Sequence, residues 1–137
     1  MSWTEGDYLA AIARMSIPQP GQSIIATPDE PESVLQAKVR QVALAAGWLY
    51  YHTHDSRKSD TGFPDTVLCR PGELVFLELK AARKKPSQAQ AVWLSLLATV
   101  PGVEASWQRP ADWPALALRL TRPAGESRGG VPSTEQD

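Results

Sequence analysis

A chain of 137 residues is long enough for one compact domain with a real core and too short for two. Its hydrophobic content of 42% is ordinary for a globular protein, and a single cysteine, Cys69, excludes both a disulfide framework and a cysteine-based zinc site. Fourteen basic residues against fifteen acidic leave a net charge of -1, less basic than a non-specific nucleic-acid coat would be. No run approaches the roughly 20 apolar residues of a membrane span. Glu5 and Asp7 stand where a secretion signal would carry positive charge, and a cytoplasmic protein is expected.

Residues 1–26 read as an N-terminal extension: a short helix over Thr4–Met15, then a break at Pro18, Pro20 and Gly21. Thr27 and Glu30 have the spacing of a capping box, with Pro31 inside the first turn of a helix. Leu35, Val39, Val42 and Ala46 continue that helix at helical spacing, and Gly47 stops it. Trp48–Thr53 has strand composition, and a polar loop runs from His54 to Gly62. Two further strands are expected over Asp65–Arg70 and Glu73–Lys80, joined by Pro71-Gly72. Ser87 starts a second helix with an apolar face of Val92, Trp93, Leu96, Leu97 and Val100, stopped by Pro101-Gly102. Val103–Gln108 is a short strand, and Asp112 caps a last helix through Leu120. From Arg122 to Asp137 the chain is rich in Pro, Gly, Ser and Glu, the composition of a disordered tail. The order is α-β-β-β-α-β-α, an α/β domain over residues 27–121 with a mixed sheet flanked by helices. Trp48, Tyr50, Tyr51 and Trp93 are expected in the core, Cys69 as a small buried hydrophobe, and Trp107 and Trp113 have no assigned place.

The hairpin carries the chemistry. If the strands pair symmetrically about Pro71-Gly72, Cys69 faces Leu74, Val67 faces Phe76, and Asp65 faces Glu78. Opposed residues project from one face, and side chains alternate, so Glu78 and Lys80 share that face while Leu79 points away. Two opposed carboxylates repel, and a divalent cation offsets the repulsion; hard oxygen donors suit magnesium or manganese. Such an ion activates water and neutralises charge on a phosphodiester, with Lys80 as a further electrostatic stabiliser. An isolated Glu-x-Lys is usually a solvated surface pair. Here Leu74–Leu77 is apolar on both faces, which marks a covered strand and weakens that simpler account. On the first helix, Glu32 falls within the apolar stripe and Gln36 at its edge; the helix dipole accounts for a first-turn Glu32 but not for Gln36.

Together, the helix with Glu32 and Gln36, the run GWLYYHTHDSRKSDTGFPDTVL, the run LVFLELK and the pattern SxxQxxWLxxL resemble the VRR-NUC branch of the PD-(D/E)xK nucleases, from about Glu32 to Trp113. The resemblance implies a restriction-endonuclease-like core and a magnesium- or manganese-dependent DNA endonuclease. It implies Asp65, Glu78 and the backbone carbonyl of Leu79 as metal ligands, and Lys80 as the catalytic lysine. Glu32 is implied as a helix-borne acid near the metal, and Gln90 at the active-site edge. Gln90 also has a plain account as the partner of Ser87 in a capping box. Stand-alone members are small phage and bacterial proteins similar in activity to Holliday-junction resolvases. That implies structure-selective cutting of branched DNA by a homodimer in the bacterial cell or phage-infected host.

Arg57, Lys58, Arg83, Lys84 and Lys85 are candidate DNA-backbone contacts, equally well read as solvated loop and turn charges. Seven basic residues against four acidic between Arg57 and Lys85 make this the positive part of the chain, although a solvated surface explains it too. His52 alternates with Tyr51, so one of the two points to the catalytic face; a lone strand histidine is more often structural. Two rivals stand beside the nuclease: a non-catalytic or partner-dependent DNA-binding module of the same fold, and a structural protein whose charged hairpin is incidental.

Overall fold

The computed structural model describes Thr4, Gly6, Asp7 and residues 26–125. The helix expected over Thr4–Met15 and most of the tail beyond Arg122 lie outside the described residues. Within residues 26–125 there are three α-helices, α1 (Glu32–Ala45), α2 (Gln88–Leu97) and α3 (Trp113–Leu120), and four strands, β1 (Leu49–His52), β2 (Thr66–Arg70), β3 (Glu73–Leu79) and β4 (Val103–Gln108). The sheet order is β1-β2-β3-β4, antiparallel except for the parallel pair β3–β4, whose crossover is α2. This is an α/β domain with a mixed sheet. No helix among the described residues is long and apolar enough to cross a membrane.

Helix α1 buries Leu35, Val39, Val42 and Ala43 against one face of the sheet, where they meet Leu68, Val75, Leu77 and Leu79 and, from α3, Leu116, Ala117 and Leu120. Its end is set by Gly47 at φ 89: the Gly47 N–H bonds to Leu44 O at 3.2 Å and the Trp48 N–H to Ala43 O at 2.9 Å. This paired closure needs a left-handed residue, which glycine adopts without steric cost. It turns Trp48 into the core, where the indole N–H donates to Leu120 O at 2.9 Å. The start of α1 differs from expectation. Pro31, extended at ψ 154, is the N-cap and supplies no side-chain cap. A proline pushes the preceding residue out of the helical region, so Glu30 cannot serve in a first turn. Instead Glu30 is buried and pairs with Lys38 at 2.7 Å.

The β2–β3 hairpin has the expected register, Cys69 opposite Leu74 and Val67 opposite Phe76. Gly72 at φ 75 has the conformation that the third position of a type II turn demands after Pro71. Below the turn lies a buried ionic network absent from any sequence expectation. Arg70 pairs with Glu73 at 2.7 Å, and Arg119 from α3 reaches Glu73 at 2.8 Å and also bonds Glu104 of β4. Arg70 also donates to Ala46 O at 3.2 Å and Arg122 O at 2.8 Å, and its guanidinium lies 4.2 Å from the Trp48 ring centre. Two charges of the positive stretch, Arg70 and Glu73, are therefore interior rather than solvated.

Helix α2 turns a different face inward than its apolar pattern predicts. Leu94 is buried, whereas Val92, Trp93, Leu96 and Val100 are exposed. The segment is apolar nearly all round, so periodicity cannot choose its inner face; Gln90 and Leu94, one turn apart, do. Cys69 is exposed, on the sheet face away from the main core. Tyr51 and Trp93 are also exposed, while Trp48, Trp107 and Trp113 are buried and Tyr50 is half-buried. Asp112 acts on the short 3-10 turn before α3, accepting the Arg109 N–H at 2.8 Å, and gives α3 no side-chain cap.

Candidate active site

Strand alternation sends Leu77 and Leu79 into the main core and Glu78 to the opposite face, under α2. Only 1% of Glu78 is exposed. Asp65 stands one residue before the first β2–β3 pair, and its N–H donates to Glu78 Oε1 at 3.3 Å. The Asp65 carbonyl accepts the Thr53 N–H at 2.9 Å, fastening the Pro64-Asp65 segment to the end of β1. On the other carboxylate oxygen, Gln90 Nε2 donates to Glu78 Oε2 at 3.1 Å, and Lys80 Nζ lies 3.6 Å from it. The hairpin and α2 thus assemble Asp65, Glu78, Lys80 and Gln90 around one buried carboxyl.

Burial first, and the neighbouring Asp65 charge second, push the Glu78 carboxyl up to about 7, while Lys80 pulls it down. Glu78 therefore changes charge near neutrality. A carboxyl held in this way exchanges a proton for a cation readily.

Among the described residues no three His, Cys, Asp or Glu side chains gather closely enough to hold a metal by themselves. Glu32 does not complete such a cluster with Asp65 and Glu78. Magnesium commonly takes only one or two carboxylates, with waters and substrate phosphate completing its shell. The pair Asp65 and Glu78 fits that mode. The Leu79 side chain is buried in the core, and its carbonyl is placed by β3 next to Glu78.

The remaining candidates divide. Gln90 has both of its expected roles: its Oε1 accepts the Ser87 N–H at 2.8 Å in the capping box, and its Nε2 holds Glu78. Gln36 is turned to the other face of the sheet, donating to the Tyr50 hydroxyl and to Thr66 Oγ1 at 3.0 Å. These partners answer its inward placement without any catalytic role. Register puts His52 opposite Thr66 and Tyr51 opposite Val67, so Tyr51 shares the face of Glu78 and His52 the other. His52 sits where the sheet ends, its edge against His54 at a centroid distance of 5.1 Å. Burial holds its pKa below the usual histidine value, against the pull of the Asp65 and Glu32 charges. Arg57 forms a double hydrogen bond with Asp55, at 3.0 and 2.8 Å, on the exposed loop. Lys58, Arg83, Lys84 and Lys85 are exposed.

An open cleft of about 630 Å³ runs from Asp65 and Gln90 under the loop before β2. Its walls include Tyr51, the alternative to His52 on the catalytic face, and Thr53, Phe63 and Trp93, which the sequence did not mark as site residues. Gly62 allows the loop to lie on α2: a Cβ there would come within 2.8 Å of the Ala89 backbone. A glycine before an apolar residue in a polar loop was the available signal. The chain matches no protein-family model, no curated protein and no solved structure, so the VRR-NUC resemblance stands on the motifs of this sequence alone.

Proposed function

We propose that this chain is a metal-dependent DNA endonuclease of the PD-(D/E)xK class, VRR-NUC branch, selective for branched DNA and acting as a homodimer. One observation carries the reading: Glu78 is buried at the end of a covered strand with Asp65 on one oxygen and Lys80 and Gln90 at the other. Burying a carboxyl is costly, and a raised proton affinity beside a second carboxylate and a lysine is an arrangement that marks functional sites.

In this reading Asp65 and Glu78 hold magnesium or manganese with the Leu79 carbonyl. The bound ion supplies Lewis-acid polarisation of the phosphate and a lowered pKa of water. Lys80 provides a fixed positive charge beside the scissile phosphate, where negative charge grows as the bond breaks. Gln90 fixes the Glu78 carboxylate, so that the ligand oxygen does not rotate away. Arg57 at the cleft and Lys58 on the same exposed loop, with Arg83, Lys84 and Lys85 after β3, supply backbone contacts that add affinity without reading sequence. A two-fold dimer matches the two strands cut at a four-way junction.

The test is cleavage of a labelled four-way junction beside linear duplex, flap and single-stranded DNA, in magnesium, manganese or EDTA, with wild type and Lys80→Ala. Metal-dependent cutting of the junction, at least ~100-fold weaker in the variant, is the expected result. Salt-sensitive binding with no cutting of any substrate would replace the nuclease by a DNA-binding module.

A further inference from the structure

The cleft beside Asp65 has an aromatic wall that no step of the proposed reaction uses. Phe63 packs edge-on against buried Phe76, with centroids 5.7 Å apart at 87°, and against Trp93 at 5.1 Å and 83°. The three rings form a ladder rooted in the sheet at Phe76 and ending at the surface. Phe63 is 40% exposed and Trp93 39%, and Tyr51 at the same cleft is 57% exposed. Large aromatic side chains are normally drawn inside. Three stand exposed together around one concavity, with Phe63 seated on Phe76 and Trp93 on Phe63.

The other walls say which kind. Ser56, Ser59, Asp60, Thr61 and Arg57 line the same cleft, and Asp55 holds the Arg57 guanidinium at its edge. Hydroxyls and a guanidinium beside aromatic rings suit a flat, polar-edged ring system joined to a phosphate, and suit a purely aliphatic partner poorly. Asp65 and Gln90 also line it, so an occupant lies directly beside the candidate catalytic Asp65 and the side chain that holds Glu78. Of the exposed apolar residues of α2, Trp93 lines the cleft and Val92 and Leu96 do not.

We propose that Phe63, Trp93 and Tyr51 form a stacking site for an unpaired nucleobase of the DNA strand whose phosphate lies at Asp65, Glu78 and Lys80. This rests on the nuclease reading and gives its selectivity a physical source. Bases inside a duplex have both faces covered by their neighbours, so only a base released at a branch, flap or single-stranded end can stack on protein rings. The cleft volume accommodates a nucleotide and falls far short of a helical duplex.

Binding is measured by fluorescence anisotropy in EDTA, where no cutting occurs, on three labelled DNAs: a blunt duplex, the same duplex with a short single-stranded flap, and that flap with abasic positions. Wild type, Trp93→Ala and Trp93→Phe are compared. The expected result is that Trp93→Ala weakens flap binding by about 5- to 100-fold and blunt-duplex binding by less than about twofold. Abasic positions weaken wild-type binding by a similar factor and Trp93→Ala no further, and Trp93→Phe keeps most of the affinity. The proposal is overturned if wild type binds the abasic and normal flaps equally, or if Trp93→Ala loses affinity equally for all three DNAs. Equal loss would indicate a folding or self-association role for Trp93, and absence of binding to any DNA overturns the site outright. The wild-type abasic comparison needs no variant and stands even if a substitution fails to fold. Cutting without base discrimination would leave the nuclease and remove this site; base discrimination without cutting would leave the site and remove the nuclease.

Discussion

Gln90 joins the start of a helix to a buried carboxylate with one side chain: its oxygen takes the Ser87 N–H at 2.8 Å and its nitrogen gives a hydrogen bond to Glu78 at 3.1 Å. The position of α2 over the sheet and the orientation of Glu78 are thereby the same fact. Gln90→Glu keeps an oxygen for the cap and puts a carboxylate where Glu78 needs a donor. Helix content by circular dichroism should be unchanged while metal-dependent cleavage falls by about 10- to 100-fold. Gln90→Ala should cost about 1 kcal/mol of stability through the lost cap. Full cleavage by both variants would reduce Gln90 to a helix cap.

The Glu78 carboxyl predicts an unusual pH dependence. It titrates at about 7 in the folded protein, against an ordinary value of 4.5. The folded state holds this proton more tightly than the unfolded state, so the contribution is fully present below about pH 4.5 and is lost as pH rises through 7. The loss is on the order of 3 kcal/mol at most. Urea midpoints in EDTA should therefore fall between about pH 5 and pH 8 in wild type and much less in Glu78→Gln. An identical fall in the variant would place the titrating group elsewhere.

The network at the opposite end of the hairpin predicts a large structural effect. Arg119 is 1% exposed and bridges Glu73 of β3 to Glu104 of β4. Removing it as Arg119→Ala leaves Glu73 to Arg70 alone and takes the guanidinium from Glu104, and should cost about 3 kcal/mol, read as a lowered urea midpoint. Although burial pushes the Glu73 carboxyl up, hydrogen bonds from Arg70 and Arg119 hold it below its ordinary 4.5. Its contribution is present above 4.5 and lost as pH falls, the reverse of Glu78. A loss under about 1 kcal/mol in Arg119→Ala would mean that water replaces the guanidinium.

Helix α2 can be tested face by face. Leu94 is 3% exposed and Leu96 63%. Leu94→Ala should destabilise by about 2–4 kcal/mol, and Leu96→Ala by no more than about 0.5 kcal/mol. Thermal denaturation of the two variants side by side decides it. A larger loss for Leu96→Ala would mean that the outer face is covered in solution.

Much was legible in the sequence because its signals were local. The stripe Leu35, Val39 and Val42, the stop at Gly47, the Ser87–Gln90 box and the Pro71-Gly72 turn each specify a few residues of backbone. Symmetric pairing about that turn, assumed from the sequence and found in the hairpin, places Asp65 at Glu78. Alternation then puts Lys80 on their side, a consequence of strand geometry that requires no tertiary contact.

Tertiary structure decided what local pattern leaves degenerate. Helix α2 carries apolar residues on most of its circumference, so only its docking selects Leu94 over Leu96. Gln36 was an inward polar residue without an owner until α1 packed over β1 and β2 and supplied Tyr50 and Thr66. The partners of Arg70, Glu73 and Arg119 come from three separate elements, and no spacing along the chain announces them. The aromatic ladder from Phe76 through Phe63 to Trp93 likewise joins a strand, a loop and a helix. Short-range hydrogen bonding and side-chain period are written in consecutive residues, whereas burial and charge pairing depend on which elements the fold brings together.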